Sequence, residues 1–204
     1  MRTAHKINNK LLCIESEQGI VQRIWEIKDE TEIDKDPQNG IFVQVYPSGI
    51  IAVHGQYKNG KMDGTWDYFH GNSEIKNTFD VKNGVMHGPY SEFNEAGIEI
   101  AKGQYKDGKK DGKWTWRYET GELKESGTYK DDVLHGEFVC YYKNGNIREK
   151  GKYSKGELHG EYVTYFADGT ERAHGTNVKG KPRRITVNGN IDTLIKQLKT
   201  ATLL

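Results

Sequence analysis

The sequence predicts an all-β protein: an elongated repeat sheet of stacked antiparallel β-hairpins, with a 24-residue period and a short C-terminal helix. Three observations predict it. A glycine recurs every 24 residues, an aromatic residue follows two positions later, and a second turn signal precedes the glycine. We call these glycines the repeat glycines: Gly40, Gly64, Gly88, Gly112, Gly136 and Gly160.

The turns are predicted from Asn-Gly and Asp-Gly dipeptides, which favour backbone conformations with positive φ. Glycine is preferred in that conformation because a Cβ would clash with the backbone. The dipeptides separate short apolar and aromatic runs, so each unit should contain two strands. They are Asn59-Gly60, Asn83-Gly84, Asp107-Gly108, Asp111-Gly112 and Asn144-Gly145.

The strand after each repeat glycine alternates with a period of two. Trp114, Trp116 and Tyr118 should share one face, while Thr115 and Arg117 point to the other. Stacked units would align the first aromatic of each strand, and we expect this core column to form the hydrophobic core. Its members are Phe42, Trp66, Tyr90, Trp114, Phe138 and Tyr162.

A second column lies five residues after each repeat glycine and is also largely aromatic: Val45, Phe69, Phe93, Arg117, Tyr141 and Tyr165. A thin sheet cannot bury both faces unless it curls or meets a partner. The second column is therefore either exposed and used for binding, or covered by the sheet rolling up. The candidate partner-binding residues are Phe69, Phe93, Trp116, Arg117, Tyr118, Tyr141 and Tyr165.

The ends depart from the repeat. Residues 1–36 are predicted to be an N-terminal capping segment, residues 37–180 the tandem hairpin repeats, and residues 181–204 a C-terminal capping segment. In the last, Leu194, Ile195, Leu198 and Ala201 have the spacing of an amphipathic helix. That helix could cap the sheet or dock onto a partner.

Composition narrows the classes of function and location that we expect for the chain. The chain has 204 residues, with 30 basic and 29 acidic side chains, so its balanced charge does not favour a nucleic-acid partner. The N-terminus lacks an apolar signal segment, and no run is apolar enough for a spanning helix. Two distant cysteines, Cys13 and Cys140, fit thiols in a reducing compartment, so we expect a cytoplasmic protein.

One polar column could suggest chemistry. The residues before the repeat glycines, which we call the pre-glycine column, are Asn39, Asp63, His87, Asp111, His135 and His159. Asp and His could form a metal or general-base site. Alternatively, Asn, Asp and His tolerate strained turn conformations and bond to nearby backbone. We favour the second interpretation, and predict no catalytic, metal or cofactor-binding residue and no enzyme activity.

The columns resemble the MORN repeat, and more closely the variant repeat of a bacterial MORN-variant antitoxin family. The matching blocks have the form G-x-Y-K-x-G-K-x-x-G-x-W/Y/F and are clearest at Gly55–Trp66, Gly103–Trp114, Gly127–Phe138 and Gly151–Tyr162. The resemblance covers about residues 38–180. Phe79 and Asp132 replace glycines of the pattern, and Phe79 puts regular curvature in doubt.

The resemblance implies a non-enzymatic protein-binding role, as an antitoxin or immunity protein that neutralises a toxin by direct contact. The alternative that it implies is a membrane-associated or structural scaffold, which would require an anionic membrane surface. The balanced charge does not favour the membrane. An open sheet end or the C-terminal helix leaves a homodimer as a further alternative.

Overall fold

The computed structural model describes residues 1–187 and divides into two compact units, Met1–Asp111 and Gly112–Leu204. The helix predicted around Leu194 lies outside the described residues. The division into segments 1–36, 37–180 and 181–204 stays a prediction.

The first unit consists of consecutive antiparallel strands and one short 3-10 helix at Glu30–Glu32. Most strands pair with the next strand in the chain, and β5 pairs with both β6 and β7. The strands are β1 (Arg2–Ile7), β2 (Lys10–Glu17), β3 (Ile20–Ile27), β4 (Gly40–Val45), β5 (Ile51–Lys58), β6 (Lys61–Met62), β7 (Gly64–Phe69), β8 (Ile75–Lys82), β9 (Val85–Phe93), β10 (Glu99–Lys106) and β11 (Lys109–Lys110).

In the second unit each strand pairs antiparallel with its successor along the chain. The strands are β12 (Gly112–Arg117), β13 (Leu123–Lys130), β14 (Val133–Tyr141), β15 (Ile147–Ser154), β16 (Glu157–Tyr165), β17 (Glu171–Val178) and β18 (Lys181–Val187). Both units thus confirm the predicted all-β class and the stacked antiparallel hairpins.

The turns follow the predicted chemistry with one difference. Both residues of Asn59-Gly60 have positive φ, and the same holds for Asn83-Gly84 and Asp107-Gly108. In Asp111-Gly112 and Asn144-Gly145 only the glycine does. Asp111 and Asn144 therefore do not adopt the left-handed conformation, and at these two turns only the glycine does.

The N-terminal residues form regular strands that the repeat pattern does not show. β3 continues the sheet by pairing with β4, through Trp25 opposite Phe42. The Trp25 indole is fully buried, and the guanidinium groups of Arg2 and Arg23 lie 5.1 and 5.6 Å from its ring centre. Glu15 forms ion pairs with both arginines, so the charges around the ring are paired with each other.

The core column behaves largely as predicted. Phe42, Trp66 and Trp114 are 6%, 2% and 1% exposed, whereas the other three members are half-buried. In the first unit, Trp66 lies directly over a glycine: a Cβ at Gly55 would be 2.3 Å from the indole Cδ2. Glycine at this position is a packing requirement, because any side chain would overlap the ring.

Phe79 occupies the position where Gly55 stands one repeat earlier. Its ring inserts between Tyr68 and Tyr90, with ring centres 5.6 and 6.3 Å away and near-parallel planes. The substitution thus replaces a glycine-on-ring contact with a stack of three rings. The structure accommodates it within the paired strands β8 and β9.

A β-bulge recurs at the same point of every repeat. It lies near the start of the strand that follows the strand carrying the core column, just after the turn between the two. In β13, for example, Glu125 pairs with Trp116 and Leu123 pairs with Arg117, which leaves Lys124 as the extra residue. We call the extra residues the bulge column. They are Ala52, Lys76 and Ile100 in the first unit, and Lys124, Arg148 and Arg172 in the second.

Candidate partner-binding surfaces

Trp116 and Tyr118 lie on the core face of the second unit. The ring of Trp116 stacks on Trp114, with centres 5.6 Å apart, and meets Tyr129 edge-on at 5.8 Å. Trp116 remains half-exposed although Trp114 is buried. It can therefore contribute apolar surface to a partner while staying fixed by its neighbours.

Tyr118 belongs to a column of ring residues that link successive hairpins. Its hydroxyl donates a hydrogen bond of 2.8 Å to the carbonyl oxygen of Tyr141 in the next hairpin. Tyr142 donates to Tyr165 in the same way, and in the first unit Tyr46 donates to Phe69. The hydroxyl of Tyr118 is thus occupied by structure, and its ring is the part that remains for a partner.

Tyr141 and Tyr165 lie on the opposite face. Strand alternation places Tyr141 across the sheet from Phe138 and Cys140, and both tyrosines are half-buried. The ammonium of Lys150 lies 5.7 Å from the centre of the Tyr165 ring. Arg117 is exposed, and its guanidinium donates a hydrogen bond of 3.0 Å to the carbonyl of Gly121.

Phe69 and Phe93 lie in the first unit, where both side chains are half-buried. Their carbonyl oxygens face the hydroxyl of Tyr46 and the imidazole Nε2 of His70, respectively. The seven predicted residues therefore do not form one continuous patch on one face. Trp116 and Tyr118 form one group in the second unit, and Tyr141 and Tyr165 lie on the other face of that unit.

Three members of the pre-glycine column bond to backbone, as the favoured interpretation predicted. The side-chain oxygen of Asn39 accepts a hydrogen bond from the backbone N–H of Asn59 at 3.0 Å, and Asp63 accepts one from Asn83 at 3.3 Å. Nδ1 of His87 lies 3.3 Å from the backbone nitrogen of Asp107. None of the six residues has positive φ, so the expectation of strained conformations there was wrong. The repeat glycine that follows takes the left-handed conformation.

The thiol groups of the two cysteines are poorly placed for reaction. Cys13 and Cys140 are free and buried, and burial raises the pKa of both thiols. A raised pKa keeps a thiol protonated and weakly nucleophilic at neutral pH. Within residues 1–187 no group of three His, Cys, Asp or Glu side chains is placed to hold a metal ion. No helix in that part of the chain is long and apolar enough to cross a membrane.

The bulge column supplies basic residues that the sequence reasoning missed. The ammonium groups of Lys124 and Lys143 lie 5.9 and 5.6 Å from the centre of the Tyr118 ring. The guanidinium of Arg172 lies 5.8 Å from the ring centre of Phe166, which is 44% exposed. The signal available in the sequence was the 24-residue spacing of Lys124, Arg148 and Arg172.

Charge is distributed unevenly between the units. Residues 1–111 contain 14 lysines and arginines and 17 aspartates and glutamates, a net charge of −3. Residues 112–204 contain 16 and 12, a net charge of +4. The near-neutral total therefore conceals a basic C-terminal unit.

Comparison with known families gives a match to the MORN repeat variant over residues 38–59, 110–131 and 134–155. The matched segments begin 72 and 24 residues apart, which are multiples of the repeat length. No curated protein matches the chain. Repeats of this kind generally bind proteins or membranes. The matched segments keep the 24-residue register of the observed hairpins and support MORN repeats at these three places.

Proposed function

We propose that this chain is a non-enzymatic protein-binding repeat protein, and that it acts as an antitoxin or immunity protein that neutralises a toxin by direct contact. The observation that carries the proposal is the set of partly exposed rings in the second unit, with Trp116 and Tyr118 on one face and Tyr141 and Tyr165 on the other. Tryptophan, tyrosine and arginine supply much of the binding energy at protein interfaces.

The polar groups that could have served catalysis support a binding role instead. Asn39, Asp63 and His87 hold the backbone of neighbouring turns, and the hydroxyls of Tyr118 and Tyr142 bond to carbonyls. The resemblance to a MORN-variant antitoxin family supports the narrower role.

The experiment is co-expression with the product of the adjacent gene, followed by growth measurement and size-exclusion chromatography. The proposal expects growth rescue and a stable complex with that protein. Tyr165→Ala should weaken the complex by about tenfold, as is typical of an interface anchor. Val133→Ala, at an exposed residue of the same unit, is the matched control and should leave binding unchanged. Absence of both rescue and complex would contradict the proposal.

A second candidate function is a membrane-associated scaffold, and the net charge of +4 on residues 112–204 favours it. Basic surfaces bind anionic lipids through charge attraction that weakens with salt. Co-sedimentation with phosphatidylserine vesicles at physiological salt would support this function. Sedimentation equal to that with pure phosphatidylcholine vesicles would count against it.

A further inference from the structure

We infer that the bulge column of the second unit binds an acidic, extended segment of a partner protein. The inference deepens the proposed function and rests on it, because it names the chemistry of the partner. The three residues Lys124, Arg148 and Arg172 are called the basic row.

The basic row is set by backbone geometry. Each of its residues is the extra residue of a bulge, at the same point of the strands β13, β15 and β17. A bulge changes the direction of a side chain relative to regular alternation. Equivalent strands are two strand spacings apart, so neighbouring members of the row are separated by about 9.6 Å.

The row is exposed, although carboxylates of the protein lie near it: Glu149 acts electrostatically on Arg148, and Glu122 on Lys143. Lys124, Arg148 and Arg172 are all exposed, as is Lys143 beside them. Among residues 1–187, none of these four side chains forms a salt bridge. The same bulge in the first unit carries one basic residue, Lys76, with Ala52 and Ile100 at the other two positions, so the row is continuous in the second unit and not in the first.

Aromatic rings lie beneath these cations. Tyr118 has Lys124 on its own hairpin and Lys143 on the next, at 5.9 and 5.6 Å, and Arg172 lies 5.8 Å from Phe166. The rings restrict the positions of the long side chains, which lowers the entropy lost when an anion binds. Phe166 is itself 44% exposed and adds an apolar contact beside Arg172.

The spacing between members of the basic row indicates the conformation of the partner segment. A polyproline II segment repeats every three residues and advances about 9.3 Å per turn, close to the spacing of the row. A segment with a carboxylate at every third position would meet each cation in turn. A lipid surface attracts any cluster of basic residues and does not select the spacing between them. The observations therefore favour an acidic protein segment over a membrane.

The first experiment uses a fluorescent (Glu-Pro-Pro)₄ peptide as the probe and the full chain as the receptor. We expect binding that weakens with salt, no binding of (Gln-Pro-Pro)₄, and weaker binding of a peptide in which the four glutamates are adjacent. The variant Lys124→Gln/Arg148→Gln/Arg172→Gln should lose at least about tenfold in affinity, as expected for three exposed ion pairs.

The matched control is Lys113→Gln/Lys130→Gln/Lys181→Gln, which removes the same charge from exposed lysines outside the basic row. It should retain affinity within about twofold, and thermal melts should show that both triple variants are folded. Equal losses in the two variants, or no binding of the first peptide by the wild-type chain, would overturn the inference. Row-dependent binding to phosphatidylserine vesicles without peptide binding would also overturn it, in favour of a membrane.

The second experiment separates this inference from the proposed function. The row variant is tested for complex formation with the adjacent-gene product beside the wild-type chain. Loss of the complex only in the row variant supports both. A complex that survives in the row variant overturns the basic row as the partner site but leaves the proposed function standing. No complex with the wild-type chain contradicts the proposed function, while the peptide assay still decides the inference.

Discussion

The two units share one repeat but differ in how completely they cover its core face. In the first unit Trp25, Phe42 and Trp66 belong to one buried cluster, which the N-terminal strands extend. In the described part of the second unit, the buried hydrophobic side chains are Trp114 and Cys140, while Phe138 and Tyr162 remain half-exposed. The same glycine and aromatic columns thus bury more apolar side chains in the first unit than in the described part of the second.

The two units also differ in how many of their charged side chains form salt bridges. In the first unit, four basic side chains form ion pairs with neighbouring carboxylates: Arg2, Lys10, Arg23 and Lys102. In the described part of the second unit, the one salt bridge is that of His174 with Glu171. The first unit therefore pairs more of its charged side chains within the protein than the described part of the second unit does.

The largest expected effect is on the core column. Trp66→Ala should lower the free energy of unfolding of the first unit by about 3–5 kcal/mol, because a fully buried indole is removed. Phe138→Ala in the second unit should cost about half as much, since its ring is already half-exposed. Denaturant unfolding followed by circular dichroism measures both. Equal losses would remove the proposed difference between the units.

The next effect concerns the glycines beneath the rings. A Cβ at Gly55 would lie 2.3 Å from the rigid indole of Trp66, whereas one at Gly127 would lie 2.8 Å from a terminal methyl of Leu134. Gly55→Ala should therefore cost about 1–3 kcal/mol, as overpacking does, and Gly127→Ala less. Chemical denaturation of the two single variants is the measurement. A larger loss for Gly127→Ala would show that Leu134 cannot move aside.

A turn in the first unit offers a stabilising change. Ser73 has φ of +73°, at a position where the second unit has Gly121, Gly145 and Gly169. Ser73→Gly should raise stability by about 0.5–1 kcal/mol, because it removes a strained left-handed residue. Thermal melting gives the shift, with Gly145→Ala as the reverse control, since its added Cβ would meet no atom within 4 Å. A lower melting temperature for Ser73→Gly would contradict the argument.

The smallest expected effect is a pH dependence that arises from one carboxylate of the first unit. The hydrogen bond from Arg23, with that from Arg2, holds the pKa of Glu15 below its usual value. A carboxyl with a lowered folded pKa stabilises the protein above its unfolded pKa of about 4.3, and this stability is lost as the pH falls through the folded pKa. Glu15→Gln should therefore flatten the decline in melting temperature between about pH 5 and 3. Parallel declines in variant and wild-type chain would exclude Glu15 as the cause.

The sequence predicted the features that local chemistry determines. The positive φ of Gly64 and the burial of Trp66 follow from a glycine and an aromatic at fixed spacing. The bulge at Lys124 and the hydrogen bond of Tyr118 depend on the register between strands, which a single strand does not specify. Regular alternation therefore could not show that Lys124 lies near the Tyr118 ring.

The N-terminal strands were missed for a related reason. Arg2–Ile7 and Lys10–Glu17 do not follow the repeat, and their turn at Asn8 and Asn9 uses positive φ without glycine. The partner-binding role of the candidate residues stays a prediction. Tyrosine and tryptophan columns are visible from their period, but which ring stays accessible depends on what packs beside it.

The hydroxyl bonds between hairpins have a consequence for unfolding. In the second unit the Tyr118 hydroxyl links its hairpin to the next by donating a hydrogen bond to the carbonyl of Tyr141. The Tyr142 hydroxyl donates to the carbonyl of Tyr165 in the same way. Each link adds a nearest-neighbour coupling of about 0.5–1.5 kcal/mol. Phe166, at the following position of the column, has no hydroxyl with which to continue the series. Unfolding of this unit should therefore begin by fraying at β18 and β17 and proceed toward β13, giving amide hydrogens that exchange faster step by step along the chain.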